Sequence, residues 1–229
     1  MELRVFTEPQ QGATYDDLLA VALEAERLGF AAFFRSDHYL HMSGDGLPGS
    51  TDAWTTLAGL ARDTSTIRLG TMMTSATFRY PGVLAIQVAQ VDQMSGGRVE
   101  LGIGVGWLRE EFEALGVPFE QRGRRADEYI AAMRALWTTD GASYAGRYVK
   151  FEGVSCNPKP VGRVPIIVGG HSEAAARRAG RLGDGFFPSI GAQVDTTPLF
   201  EVARRAAVEA GRDPAAIEML AGCPALLPG

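Results

Sequence analysis

The feature that most constrains this chain is an alternation that runs from end to end. Short apolar runs of strand length recur at residues 3–6, 30–34, 67–73, 98–106, 164–168, 184–188 and 217–221. Helical stripes or helix-like runs separate them, among them 54–62, 81–94, 126–137 and 198–210, with a small hairpin inserted at 144–157. Thr14 followed by Asp17 reads as a capping box, Pro81 stands where a first helical turn begins, and Gly29 and Gly96-Gly97 stop the helices they follow. Seven strands alternating with helices require a parallel sheet, either open and doubly wound or closed into a barrel.

Two stretches suggest where a ligand would lie. Val164-Pro165-Ile166-Ile167-Val168-Gly169-Gly170-His171-Ser172 reads as a buried strand, a diglycine turn and a helix capped by Ser172. Glycines permit a tight turn and close backbone approach, and a helix start offers unpaired N–H groups at its positive dipole end. That arrangement suits an anion, most often a phosphate, although a ligand-free turn has the same appearance. In the strand at 98–106, Val99, Leu101, Ile103 and Val105 form one row, and Gly102, Gly104 and Gly106 the other. The apolar row should pack under helices, and the glycine row should leave free space on the opposite face. These glycines do not have dinucleotide-fold spacing, and no acidic residue ends a following strand. The polar residues just beyond strand ends are Asp37-His38, Thr74-Ser75, Trp107 and Gly170-His171-Ser172. In a (β/α)8 barrel all of them share the carboxyl-end face, where active sites form, and this favours the barrel.

Composition narrows the partners. A net charge of -5 argues against nucleic acid or an anionic membrane. No run approaches membrane-spanning length, and the two cysteines, Cys156 and Cys223, form neither a disulfide framework nor a thiolate metal site. A cytoplasmic protein acting on a small molecule, without metal, is the expectation.

Several ordered motifs then become recognisable: Arg35-Ser36-Asp37-His38, Leu69-Gly70-Thr71 with Thr77-Phe78-Arg79-Tyr80-Pro81, the run from Arg98 to Trp107, Val168-Gly169-Gly170, and Ala179-Gly180-Arg181-Leu182-Gly183-Asp184-Gly185-Phe186. Together they resemble the bacterial luciferase-like monooxygenase family, in particular its branch using the deazaflavin coenzyme F420, over nearly the whole chain. The resemblance implies a (β/α)8 barrel with the ring lying over the carboxyl ends of the strands. It also implies an oxidoreductase that moves a hydride between F420 and a small organic substrate.

On that resemblance His38 contacts the ring and shuttles a proton, with Asp37 fixing its tautomer or orientation. Met72-Met73 align with a non-prolyl cis peptide behind the ring, their plain alternative being two core methionines. Ser75 and Thr77 reach the ring edge or side chain, or act only as caps. Gly104, Val105 and Gly106 let the cofactor's chain pass, and Gly169 and Gly170, with the helix start after Ser172, hold its phosphate. His171 belongs to this loop without an assigned role. Trp107 stands where the family's sugar-phosphate dehydrogenases carry an acidic residue, and reads as a wall of the substrate pocket. Glu110 and Glu111 lie at the wrong offset to replace that acid.

The alternatives are an FMN-dependent monooxygenase of the same fold and a non-catalytic cofactor-binding barrel. A lysine in Schiff-base position, which a barrel aldolase needs, is missing. After the strand at 217–221 only eight residues remain, two of them proline, too few for an eighth strand and helix. The chain is therefore expected to form a single domain, residues 1–229, incomplete at its C-terminal end. Its first and last strand edges would lack a partner, which favours self-association as a homo-oligomer.

Overall fold

The computed structural model describes residues 1–188 and 195–223. In chain order it contains β1 (Arg4–Thr7), α1 (Tyr15–Arg27), β2 (Ala32–Arg35), α2 (Ala53–Asp63), β3 (Arg68–Ser75), α3 (Pro81–Ser95) and β4 (Val99–Gly104). Next come α4 (Arg109–Leu115), α5 (Arg122–Thr138), the hairpin strands β5 (Ala142–Ala145) and β6 (Lys150–Val154), and β7 (Ile166–Gly169). The last elements are α6 (Glu173–Leu182), β8 (Gly185–Phe187), α7 (Thr197–Glu209) and β9 (Glu218–Met219).

Local chemistry sets most of these boundaries. The Thr14 hydroxyl accepts from the Asp17 N–H while the Asp17 carboxylate accepts from the Thr14 N–H, so α1 starts on a reciprocal cap. Pro81 opens α3, and Gly96, at φ 73°, closes it in the left-handed conformation that glycine adopts without strain. The main boundary that differs from expectation is the start of α5. It begins at Arg122 rather than at 126, because the turn 122–125 is polar and carries no apolar stripe to reveal it.

Strands β1, β2, β3, β4, β7, β8 and β9 form one sheet in that order, with every neighbouring pair parallel. Side chains alternate across it. Phe33, Leu69, Leu101, Ile103, Val168 and Phe186 pack with Trp54, Leu57 and Leu60 of α2, Leu84 and Val88 of α3, and Ile130 and Met133 of α5. Phe34, Met72, Ile167, Phe187 and Leu220 form a second cluster on the other, inner side. The sheet curls around that inner cluster, and the result is a (β/α)8 barrel without its final unit. Among the described residues the curled sheet has seven strands and no eighth, and residues 224–229, the greater part of the short tail considered above, lie outside them.

Polar side chains from four strands and the chain start fill the amino-terminal end of the interior. Glu100 of β4 is buried and lies 3.2 Å from Arg4 of β1 and 2.6 Å from Arg68 of β3. Glu2 and Glu218 complete the cluster through the same two arginines. Burial pushes the Glu100 carboxyl above its ordinary range, and the two guanidinium groups oppose that shift. The carboxyl-terminal end of the strands is left for the site.

Candidate active site

Register brings the predicted loop residues to one face. Ser75 at the end of β3 pairs with Gly104 at the end of β4; Ile103 pairs with Val168, and Gly169 at the end of β7 pairs with Phe187. The segments after these ends, and His38 after β2, all emerge at the carboxyl end of the sheet.

His38 is partly buried and makes its side-chain contacts with α4 and the segment before it. Its Nδ1 lies 2.9 Å from a carboxylate oxygen of Glu111, and its ring meets that of Trp107 edge-on at a centroid distance of 5.8 Å. Trp107 itself is 60% exposed, so one of its faces is open to a ligand. Behind this pair stand Phe78, Phe112 and Phe119, each edge-on to the next at 5.2 and 5.0 Å.

Asp37 does not orient His38. Its carboxylate accepts two bonds from Arg79, at 2.6 and 3.1 Å, and one from Thr74 at 2.8 Å. The reason is geometric: successive residues of extended backbone point to opposite sides, so two neighbours leaving β2 cannot face one another. Arg79 also donates to Asp52 at 2.6 Å and to the Tyr39 hydroxyl at 2.7 Å, tying the segments after β2 and β3 to the cap of α2. Burial pushes the Tyr39 hydroxyl up to about 12, reinforced by the Asp37 charge, so it remains a donor. Burial also opposes ionisation of Asp52, but the Thr55 N–H and the Arg79 guanidinium outweigh it and bring that carboxyl down to about 2. Arg35, likewise buried, spends its guanidinium on Thr51, Thr56 and the Ser50 carbonyl, which fastens the loop before α2.

The glycine row is a second departure from expectation. A Cβ at Gly102 would stand 2.9 Å from the Met73 sulfur, one at Gly104 3.4 Å from the Met73 Cβ, and one at Gly169 2.4 Å from the Met73 Cγ. The Thr71 carbonyl oxygen, 1.9 Å from where a Cβ would stand, closes the face at Gly102, and the partly buried Met73 side chain fills it at Gly169 instead of leaving it open for a cofactor's chain. The Met72–Met73 peptide is cis. Gly106, at φ 76°, is closed in by the Ser75 hydroxyl and the Phe112 ring, while Val105 packs partly buried against the outer core.

Other predicted residues keep open valences. The Ser75 Oγ and Thr77 Oγ1 are buried without a hydrogen-bond partner in the protein. Gly170 turns at φ 134°, and Ser172 caps α6 by accepting from the Ala175 N–H at 3.3 Å. His171 and Ser172 are exposed beside that helix start. Glu111, set aside in the sequence as standing at the wrong offset to replace an acid at position 107, is the partner of His38 that the sequence did not reveal. It is separated from its partner by 73 positions, and only the path of α4 brings the two together. Among the described residues no group of three or more His, Cys, Asp or Glu side chains is placed to hold a metal ion.

A curled parallel β/α sheet with an imidazole, an exposed indole and a helix start at its carboxyl end defines a barrel protein with its candidate site at that end. Residues 1–227 match the luciferase-like monooxygenase family, and the chain belongs to it. It is 33% identical over 213 residues to an F420-dependent glucose-6-phosphate dehydrogenase of Segniliparus rotundus, covering 89% of this chain and 62% of that one. An FMNH(2)-dependent dimethylsulfone monooxygenase of Pseudomonas fluorescens is 36% identical over 140 residues, or 57% of this chain and 38% of that one. The structure of an F420-dependent secondary alcohol dehydrogenase, solved with an F420-acetone adduct, superposes with a TM-score of 0.87 at 26% identity. That match covers 96% of this chain and 68% of the dehydrogenase. The chain therefore spans about two thirds or less of the length of each relative.

Proposed function

We propose that the chain forms the cofactor-binding part of an oxidoreductase that moves a hydride between coenzyme F420 and a small organic substrate. The observation that carries this reading is the placing of His38, the exposed Trp107 and the Ser172-capped start of α6 at the same carboxyl end of a parallel sheet. Ligands of such sheets bind at that end. Similarity to F420-dependent relatives supports F420 as the ligand.

When bound, the deazaflavin supplies the hydride chemistry, and the protein supplies binding, orientation and proton handling. Gly169, Gly170, His171 and Ser172 would hold the cofactor's phosphate at the start of α6. Met72, Met73 and Ser75 would lie beside the ring and Gly104 beside the cofactor's chain, whereas Val105, packed on the outer core, and Gly106, closed in by Ser75 and Phe112, would act only through the backbone. His38 takes the hydroxyl proton of an alcohol as its carbon loses a hydride, or returns that proton in the reverse direction. Trp107 forms an apolar wall for the substrate. Asp37 serves as an anchor for the segment that presents His38, since Arg79 and Thr74 occupy its carboxylate.

No helix of the described residues is long and apolar enough to cross a membrane. The net charge of -5 supports a protein without nucleic-acid partners, and the N-terminal Met1-Glu2-Leu3-Arg4, which opens no long apolar run, supports a cytoplasmic one. The exposed Val83 and Ile86 of α3 favour self-association.

The FMN-dependent reading has its own support in the Pseudomonas fluorescens relative. Parallel calorimetric titrations with F420 and FMN separate the two. Tighter binding of F420 is expected, and a clear preference for FMN would reverse the assignment.

A further inference from the structure

Glu111 sits in the first turn of α4 and is 1% exposed, although it is a carboxylate. It receives only donors. Oε1 accepts from the Tyr39 N–H at 2.6 Å and the Leu40 N–H at 3.1 Å, and Oε2 faces His38 Nδ1 at 2.9 Å. Burial alone would raise its pKa, but the His38 and backbone hydrogen bonds outweigh that and hold it below the usual glutamate value. An ionised carboxylate has no hydrogen to give, so in this pair Nδ1 must donate. A neutral imidazole that carries its hydrogen on Nδ1 exposes a lone pair on Nε2. Among the described residues Nε2 has no protein partner, and the edge contact with Trp107 restrains the ring from another side.

We propose that Glu111 is the positioning residue of this site, selecting the Nδ1–H tautomer of His38 and leaving Nε2 as the proton acceptor toward the substrate. The proposal rests on the oxidoreductase reading for what Nε2 does, but not for which nitrogen carries the hydrogen. The same carboxylate fixes the backbone at residues 39 and 40, so ring tautomer and loop position are set by one group. Asp37, the sequence neighbour, has no part in this.

Glu111→Gln provides a test that preserves shape while inverting polarity. The amide carbonyl keeps the Tyr39 and Leu40 N–H donors, so the NH2 group turns to His38 and Nδ1 must accept. The hydrogen then moves to Nε2, and the site loses its base while keeping its bond. Nitrogen-15 spectra of the imidazoles in cofactor-free protein report this directly. The chain has three histidines, and a His38→Asn sample identifies the relevant signals. Expected in the native chain is a protonated Nδ1 and a pyridine-like Nε2, with the two exchanged in Glu111→Gln. In protein competent for turnover, the variant should lose about 10²- to 10⁴-fold in rate, as expected for a proton-transfer group held in the wrong tautomer. A protonated Nε2 in the native chain, which needs no variant to observe, would overturn the proposal. So would an unchanged spectrum in a folded Glu111→Gln, or an inverted tautomer with undiminished turnover. If the protein binds neither F420 nor FMN, the oxidoreductase reading fails, and the nitrogen-15 result alone still decides the tautomer.

Discussion

Arg4 of β1 stands 2.5 Å from Glu218 of β9, so the first and last strands of the sheet share an ion pair across the gap between them. Among the described residues no backbone ladder joins the two strands, each of which has a single neighbour. Glu218 is about half exposed, and such a pair contributes little to stability; its value here is as a measure of how far the sheet has curled.

The gap makes a prediction about backbone protection. In hydrogen exchange on the 229-residue chain, the amides of β1 and β9 should exchange with those of the loops, well before those of β3 and β4. Protection of both edges equal to that of the central strands would show that something covers them.

Acid should act on the Arg79 network. The Asp52 carboxyl falls from 3.8 to about 2 in the folded protein. Its contribution to stability is therefore complete above about pH 4 and is lost as pH falls through the folded value near 2. Asn still caps a helix, so Asp52→Asn keeps α2 started while removing the charge. Between about pH 4 and pH 2 the native chain should lose denaturant resistance more steeply than the variant. Parallel curves would exclude a role for the Arg79 pair in acid stability.

Crowding around Met73 predicts a compensating pair. Gly169→Ala forces a methyl group to 2.4 Å from the Met73 Cγ and should cost about 1–3 kcal/mol, as overpacking does. Adding Met73→Ala should recover part of that loss, measured as a positive coupling in a double-mutant cycle. Strictly additive effects would mean that the two residues do not compete for space.

Loss of the imidazole should be felt in turnover. His38→Ala should lower the rate by about 10²-fold or more with a modest fall in cofactor affinity. Unchanged turnover would remove His38 from the chemistry.

What the residues disclosed follows a physical boundary. Strand and helix alternation, the Thr14–Asp17 box, Pro81 and the Ser172 cap depend on neighbours within a few positions, and each could be read directly. The placing of Ser75, Gly104 and Gly169 at one end of the sheet followed from parallel topology alone. Long-range pairings were not legible. Asp37-His38 suggested a dyad because the two are adjacent, whereas adjacency in extended chain separates side chains. Arg79 and Glu111 took those partnerships from 42 and 73 positions away. The glycine row suggested free space, but the pattern of one strand cannot reveal that backbone and side chains of its neighbours close it.

That space has a consequence for how the family diverges. Gly169 lies on one strand and Met73 on another, yet the two draw on one volume. Neither can grow alone. A relative that gains a side chain at position 169 should show a smaller residue at position 73, and a relative bulkier at 73 should keep glycine at 169. In Gly102 the restriction is absolute, since its Cβ would also fall 1.9 Å from the Thr71 carbonyl oxygen. The packing beneath the carboxyl end of the sheet is therefore coupled in size, while Trp107, open to solvent on the rim, is free of that constraint.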